Sequence, residues 1–193
     1  MFNLTKLEHT LRLRPDLLSR PLHEAVKGEL EALFLDKVIA KLGLCVSVYD
    51  IESIKDGEIF ANEGAPTYTV MFRLIIFRPF VGEIISATLR ESKADGLRLS
   101  LGFFDDIYVP ELLMPEPSIA EPVSENANQV LWSWTFNDEK YSIDGVDEIR
   151  FRVQNVKFPE IPKEQIEGKL FAPMEVIGSL VSEGGLGPIS WWV

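Results

Sequence analysis

The sequence predicts an α+β first domain followed by an all-β second domain built as a small barrel. Three observations carry this. One apolar stripe at helical spacing lies near the N-terminus, two long segments are apolar on both strand faces, and short alternating strands follow residue 80. The 193 residues fit one large domain or two small ones. With 46% hydrophobic residues, 25% charged residues and a mean hydropathy of +0.07, the chain can bury a core without staples.

Residues 2–14 (FNLTKLEHTLRLR) alternate as a first strand and end at Pro15. Ser19 and Pro21 mark a helix start, with proline in the first turn, where its missing N–H costs nothing. Leu22, Val26, Leu30 and Leu33 then form the stripe of a helix that reaches about Phe34. GLCVSVYDI (Gly43 to Ile51) sets Leu44, Val46 and Val48 on one face and Cys45, Ser47, Tyr49 and Ile51 on the other. Lys55 to Thr67 reads as a loop around a short strand at Glu58 to Phe60. YTVMFRLIIF (Tyr68 to Phe77) is the strongest strand, apolar on both faces, as in a strand covered on both sides. Pro79 cannot donate to a ladder, so the domain boundary falls there, giving domains 1–80 and 81–193. The first is short for an autonomous core, and its two-sided strands want covering by another chain.

In the second domain, Val81 to Ser92 is a strand ending in the KADG turn. Leu97, Leu99 and Leu101 point inward there, with Arg98 and Ser100 outward. Ile107 and Val109 point in and Tyr108 out, while Ile149, Phe151 and Val153 point in and Arg150 and Arg152 out. About five strands in roughly 110 residues favour an OB-type barrel. Residues 110–148 form an acidic insertion with nine Asp/Glu, one Lys and four prolines. Within it Trp132, Trp134 and Phe136 share one strand face, as core or as a stacking platform.

The net charge of −11 is uneven, with −1 over residues 1–80 and −10 over 81–193. That sign disfavours strong nucleic-acid binding by the isolated second domain, so such contact should be local and weak. The longest apolar runs are strand-length, far short of the roughly 20 residues that cross a bilayer, so no membrane contact is expected. The N-terminus has no apolar core of a secretory signal. A lone cysteine, Cys45, excludes an internal disulfide and suits the cytosol or nucleus.

Adjacent Asp105 and Asp106 invite a catalytic reading, but neighbours in a strand face opposite ways and between strands they read as a turn. His9, His23 and Cys45 cannot compose an ordinary zinc site, so neither metal nor cofactor is expected. GGLG (Gly184 to Gly187) lacks a following helix and is no phosphate cradle. Cys45 sits among apolar strand neighbours as an inert thiol. What remains is the outward row of Arg98, Tyr108, Arg150 and Arg152, joined by Lys93 and by Phe103 or Phe104, where basic groups beside aromatics can meet phosphates and bases. A solvated, charge-paired surface is the competing reading.

GLCVSVYDI, YTVMFRLIIFRPFVGEI, GLRLSLGFFDDIYVP and GLGPISWW occur in order along nearly the whole chain. In combination they resemble the stalk subunits of multisubunit RNA polymerases, a family with archaeal members and their eukaryotic counterparts. GFFDDIYVP and GLGPISWW look most like the RNA polymerase III member. The resemblance implies a truncated RNP-like tip domain followed by an OB-fold domain of RNA-binding type. It implies a non-catalytic subunit of nuclear RNA polymerase III that serves initiation. The tip would dock on the polymerase core near the clamp, a small helical subunit would complete a heterodimer, and nascent RNA would be contacted weakly. Lys55 to Thr67 would be the docking loop, with Gly64, Ala65 and Pro66, and Pro79 and Gly82 would match the hinge. The equivalent subunit of another polymerase, RNA polymerase II first, and a free-standing OB-fold RNA-binding protein are the alternatives. The resemblance assigns no role to Trp132 or Trp134.

Overall fold

The structure, a computed structural model, describes residues 1–61, 64–123, 129–160, 172–181 and 184–192. The chain divides into two units, Met1–Arg78 and Pro79–Val193. It is mostly β, with a single α-helix among the described residues.

The first unit contains β1 (Phe2–Arg12), α1 (Leu22–Phe34), β2 (Val38–Ile39), β3 (Gly43–Glu58) and β4 (Thr67–Phe77). The antiparallel sheet has the order β1-β4-β3-β2. The helix begins one residue after Pro21, while Ser19 bonds the Asp16 carbonyl and caps nothing. Its buried residues are Ala25, Val26 and Leu30, whereas Leu22 and Leu33 of the expected stripe are exposed. Val26 and Leu30 pack with Cys45, Val48, Val70, Phe72, Leu74 and Ile76 to form the core.

β3 departs from simple alternation. Cys45, Val48 and Ile51 lie opposite Ile76, Leu74 and Phe72, and Ile54 lies opposite Val70. Register shifts between Cys45 and Ser47, Val48 and Asp50, and Ile51 and Ser53 let β3 face the core every third residue while β4 does so every second. Each bulge sets two residues against one and keeps apolar side chains on the helix side. Cys45 and Val48 therefore share a face, contrary to the expected alternation. β3 also runs on to Glu58, so Lys55 to Glu58 are strand and the connection to β4 is residues 59–66. The opposite sheet face carries exposed Phe2, Leu4 and Tyr49 around a charged centre in which Arg73 pairs with Asp50 and Glu52, and Lys6 with Glu52.

The second unit contains β5 (Ile84–Lys93), β6 (Gly96–Ser100), β7 (Ile107–Pro110), β8 (Ser118–Pro122), β9 (Val130–Phe136), β10 (Glu139–Ile143), β11 (Ile149–Lys157), β12 (Glu175–Ser179) and β13 (Gly187–Pro188). Pairing runs β12-β7-β6-β5-β11, and β12 also pairs with β11, which closes a five-stranded barrel. β12 runs parallel to β7 and every other barrel pair is antiparallel, which fits an OB-type barrel. Leu97, Leu99, Ile107, Val109, Ile149, Phe151, Val153 and Val176 fill its interior. Ser100, expected outward, is buried because its hydroxyl serves the next loop, and Leu101 is only partly buried.

Between β7 and β11 lies a separate sheet of order β10-β9-β8. Asn137 and Asp138 connect β9 to β10, both at positive φ, as a two-residue hairpin requires. Trp132 is buried at the barrel side of this sheet and donates Nε1–H to the Lys93 carbonyl at 2.9 Å. It is therefore core.

Candidate nucleic-acid interface

The outward row expected from the sequence separates into two groups. Arg98 and Tyr108 are direct cross-strand partners on β6 and β7, and Glu91 of β5 lies opposite Arg98 on its other side. Arg150 and Arg152 lie on β11 opposite Ser86 and Ile84 of β5. Ser86 and Glu91 are five residues apart, which separates the groups by roughly 16 Å along β5.

The first group is charge-paired. Arg98 donates from Nη2 to Asp106 Oδ1 at 2.9 Å and from Nε to the Asp105 carbonyl at 3.1 Å, with Glu91 4.0 Å from Nη1. Lys93 pairs with Glu91 at 2.7 Å, and this hydrogen bond holds the Glu91 carboxyl below the usual range. The Tyr108 hydroxyl donates to the Asp95 carbonyl. Burial, then the neighbouring Asp95 and Glu111 charges, push its pKa up. Phe103 is half-exposed in the loop after β6, while Phe104 is buried, which separates the two phenylalanines the sequence left open.

Asp105 and Asp106 lie in that loop. They take different partners: Asp105 accepts from Ser100 and Arg90, and Asp106 from Arg98. The Ser100 hydroxyl, then Arg90, hold the Asp105 carboxyl below the usual carboxylate range against an opposing effect of burial. The pair therefore anchors a loop to its flanking strands through side chains. Among the described residues no cluster of His, Cys, Asp and Glu could hold a metal ion.

The second group is unpaired. Arg150 and Arg152 are exposed, and among the described residues neither has a hydrogen-bond or ion-pair partner. Small residues, Gly187 and Ser179, lie on their other side, and exposed Ile84 adjoins Arg152. Two neighbouring guanidinium groups beside an apolar side chain can take two anionic oxygens.

The residues expected to dock also differ in exposure. Ala65 and Pro66 are buried, the Pro66 carbonyl accepting from Leu13 N–H at 2.9 Å, whereas Gly64 is exposed. Gly64 and Ala65 line a cavity of about 330 Å³ with Arg12, Arg14 and Pro15. Ile59 and Phe60, which the sequence reading does not single out, are the exposed apolar side chains at the start of this connection. An isoleucine and a phenylalanine next to a glycine-containing turn are the available signal. Pro79 is buried; Gly82 has φ +90° and donates to the Val153 carbonyl at 2.7 Å, a turn that favours glycine. Exposed Phe80 and Val81 lie between them.

Two family descriptions match the chain. Residues 8–64 match the SHS2 domain found in the N terminus of Rpb7p/Rpc25p/MJ0397, and residues 83–171 match RNA polymerase III subunit Rpc25. DNA-directed RNA polymerase III subunit RPC8 of Bos taurus is 32% identical over 100% of this chain and 98% of its own length. The Saccharomyces cerevisiae protein of the same name is 31% identical, with all of both chains covered. RNA polymerase II subunit RPB7 of S. cerevisiae is 27% identical over 60% of this chain and 68% of its own length. The likeness to polymerase III subunits thus spans both units, and the chain belongs to the family of RNA polymerase III subunit Rpc25, a family of non-catalytic stalk subunits.

Proposed function

We propose that this stalk subunit works in the nucleus during transcription initiation, docking on the polymerase III core beside the clamp together with a small helical partner and touching nascent RNA. The first unit is the tip and residues 79–193 are the RNA-facing unit, with the sheet between β7 and β11 as its acidic insertion. The observation that carries the RNA contact is the exposed Arg150–Arg152 pair, without partners among the described residues, on a domain where Arg90, Arg98 and Lys93 already face carboxylates. Such a pair supplies phosphate contacts, and tethering in a large enzyme makes weak contacts sufficient. Tyr108 and Phe103 lie with the neutralised group, so they are secondary to this contact.

The connection 59–66 supports the docking role. Ile59 and Phe60 offer the apolar surface, Gly64 lies open beside the cavity, and Ala65 and Pro66 position the turn. Pro79 and Gly82 set the start of β5 and leave Phe80 and Val81 outward.

Reversing Arg150 and Arg152 to glutamate tests the RNA contact. Crosslinking of nascent RNA to the subunit in assembled polymerase should fall while the complex stays intact. Unchanged crosslinking removes this face from the RNA path.

A further inference from the structure

A cluster of aromatic rings gathers where the β9–β10 hairpin meets the C-terminal turn. Trp134 of β9 packs on Phe136 with centroids 5.1 Å apart, on Trp191 at 5.3 Å, on Tyr141 of β10 at 5.7 Å and on Trp192 at 6.4 Å. Tyr141 also meets Trp191 at 6.0 Å. The C-terminal turn is fixed against this sheet: Trp191 donates Nε1–H to the Ser142 carbonyl at 3.3 Å and Trp192 to the Leu186 carbonyl at 2.9 Å. Gly187 permits the approach, because a Cβ there would lie 2.6 Å from the Trp191 ring.

The cluster is graded from core to rim. Trp132 and Ile143, cross-strand partners at the barrel end, are buried. Trp134 and Tyr141, the next pair on the same face, are partly exposed, and Phe136 opposite Glu139 ends the sheet. Phe136 is 51% exposed and Trp192 43%. A core needs none of this outer apolar surface, and aromatic side chains held rigid at a rim are the usual anchors of protein interfaces.

Charge selects the occupant. Residues 110–148 hold nine carboxylates against one lysine, and that lysine, Lys140, is paired with Glu121 at 2.7 Å. Glu139 accepts from the Tyr141 hydroxyl at 2.8 Å and so sits fixed beside the rings, next to Asp138 in the hairpin turn. Ring faces attract cations, and a guanidinium stacks on them more readily than a strongly hydrated ammonium. A phosphate chain crossing this rim would meet the carboxylates, and a second copy of a chain with net charge −11 would repel the first.

We propose that the shelf formed by Trp134, Phe136, Tyr141, Trp191 and Trp192, edged by Glu139, is a docking surface for an arginine-bearing segment of a partner protein. The arginine stacks on exposed Phe136 and its guanidinium pairs with Glu139, the cross-strand neighbour of Phe136. This surface is separate from the Arg150–Arg152 pair and stands whether or not that pair meets RNA.

The test titrates the full chain with a capped dodecapeptide of repeating Gly-Ser-Arg and follows tryptophan emission, since three of the four tryptophans lie in the shelf. The same peptide with citrulline, which keeps the shape and removes the charge, and a 12-nucleotide uridine oligomer serve as competitors. Saturable binding of the arginine peptide, weakened about fivefold by Glu139→Gln and by Phe136→Ala, is expected. Both positions are rim sites, and unchanged circular dichroism and melting temperature establish that the variants fold. Equal binding of the citrulline peptide, tighter binding of the oligomer, absence of saturation at millimolar peptide, or indifference to both substitutions overturns the proposal.

Discussion

Arg98 and Asp106 form a charge pair across the connection from β6 to β7, at 2.9 Å, while the same guanidinium holds the Asp105 carbonyl. An arginine committed to its own loop has little left for a ligand. Arg98→Ala should therefore leave RNA crosslinking of assembled polymerase within about twofold, and should lower stability by about 1 kcal/mol or less, as partly exposed pairs do. Melting curves and crosslinking of the same variant separate the two effects. A large crosslinking loss without destabilisation would return Arg98 to the RNA face.

Asp105 gives this loop an acid-sensitive anchor. Its folded pKa is lowered, first by the Ser100 hydroxyl and then by Arg90. The stability it contributes is thus present above the ordinary aspartate value of about 4 and is lost as pH falls through the lowered folded value. Asp105→Asn should lower the melting temperature at pH 7 and flatten its fall on the acid side. A variant as acid-sensitive as the parent would place that sensitivity elsewhere.

Gly96 fixes the β5–β6 hairpin. Its φ is +147°, and an added Cβ would lie 2.2 Å from the Val109 carbonyl oxygen. Gly96→Ala therefore combines backbone strain with a backbone clash and should cost at least about 1–3 kcal/mol. Chemical denaturation of the full chain measures it. Gly82→Ala, with φ +90° but open space around the added atom, should cost less.

The exposed Ile59 and Phe60 offer a gentler docking test than removing Lys55 to Thr67, which would cut into β3 and β4. Ile59→Asp with Phe60→Asp should reduce recovery of polymerase core subunits by an affinity-tagged chain at least about tenfold, which corresponds to about 1.4 kcal/mol. The melting temperature should change little. Full retention on the core would put the docking surface elsewhere.

Strands of strict alternation are legible in the sequence. GLRLS, IYV and IRFRV bury the residues that period two assigns to the inside; the one bulge against GLRLS lies on its partner β5, between Leu89 and Glu91, so its own alternation is kept. The barrel strand Glu175–Ser179 escapes a reading by pattern: EVIGS is short, and its Gly178 is required where a Cβ would lie 2.6 Å from the Phe151 ring. Arg98 looks like Arg150 in sequence, since each is an outward arginine between apolar neighbours. Only the fold brings Glu91, Asp105 and Asp106 to the first and leaves the second free of partners among the described residues. Trp132 and Trp134 likewise share a face, yet one is core and the other is the centre of a partly exposed shelf. Local periodicity gives the face of a side chain; distance from the barrel decides its burial.

β3 shows the same limit more sharply, and it can be tested. Alternation pairs Val46 with Val48, but the bulges turn Val48 to the core beside Cys45 and leave Val46 only partly buried. Valine to threonine keeps the branched shape and replaces one methyl group with a hydroxyl, so it reports burial with little change in strand preference. Val48→Thr buries a hydroxyl among Leu74, Val26 and their neighbours and should cost about 1–3 kcal/mol. Val46→Thr should stay within about 0.5 kcal/mol. Equal losses at the two sites, measured by denaturation, would mean that β3 alternates after all and that its three-residue core repeat is wrong.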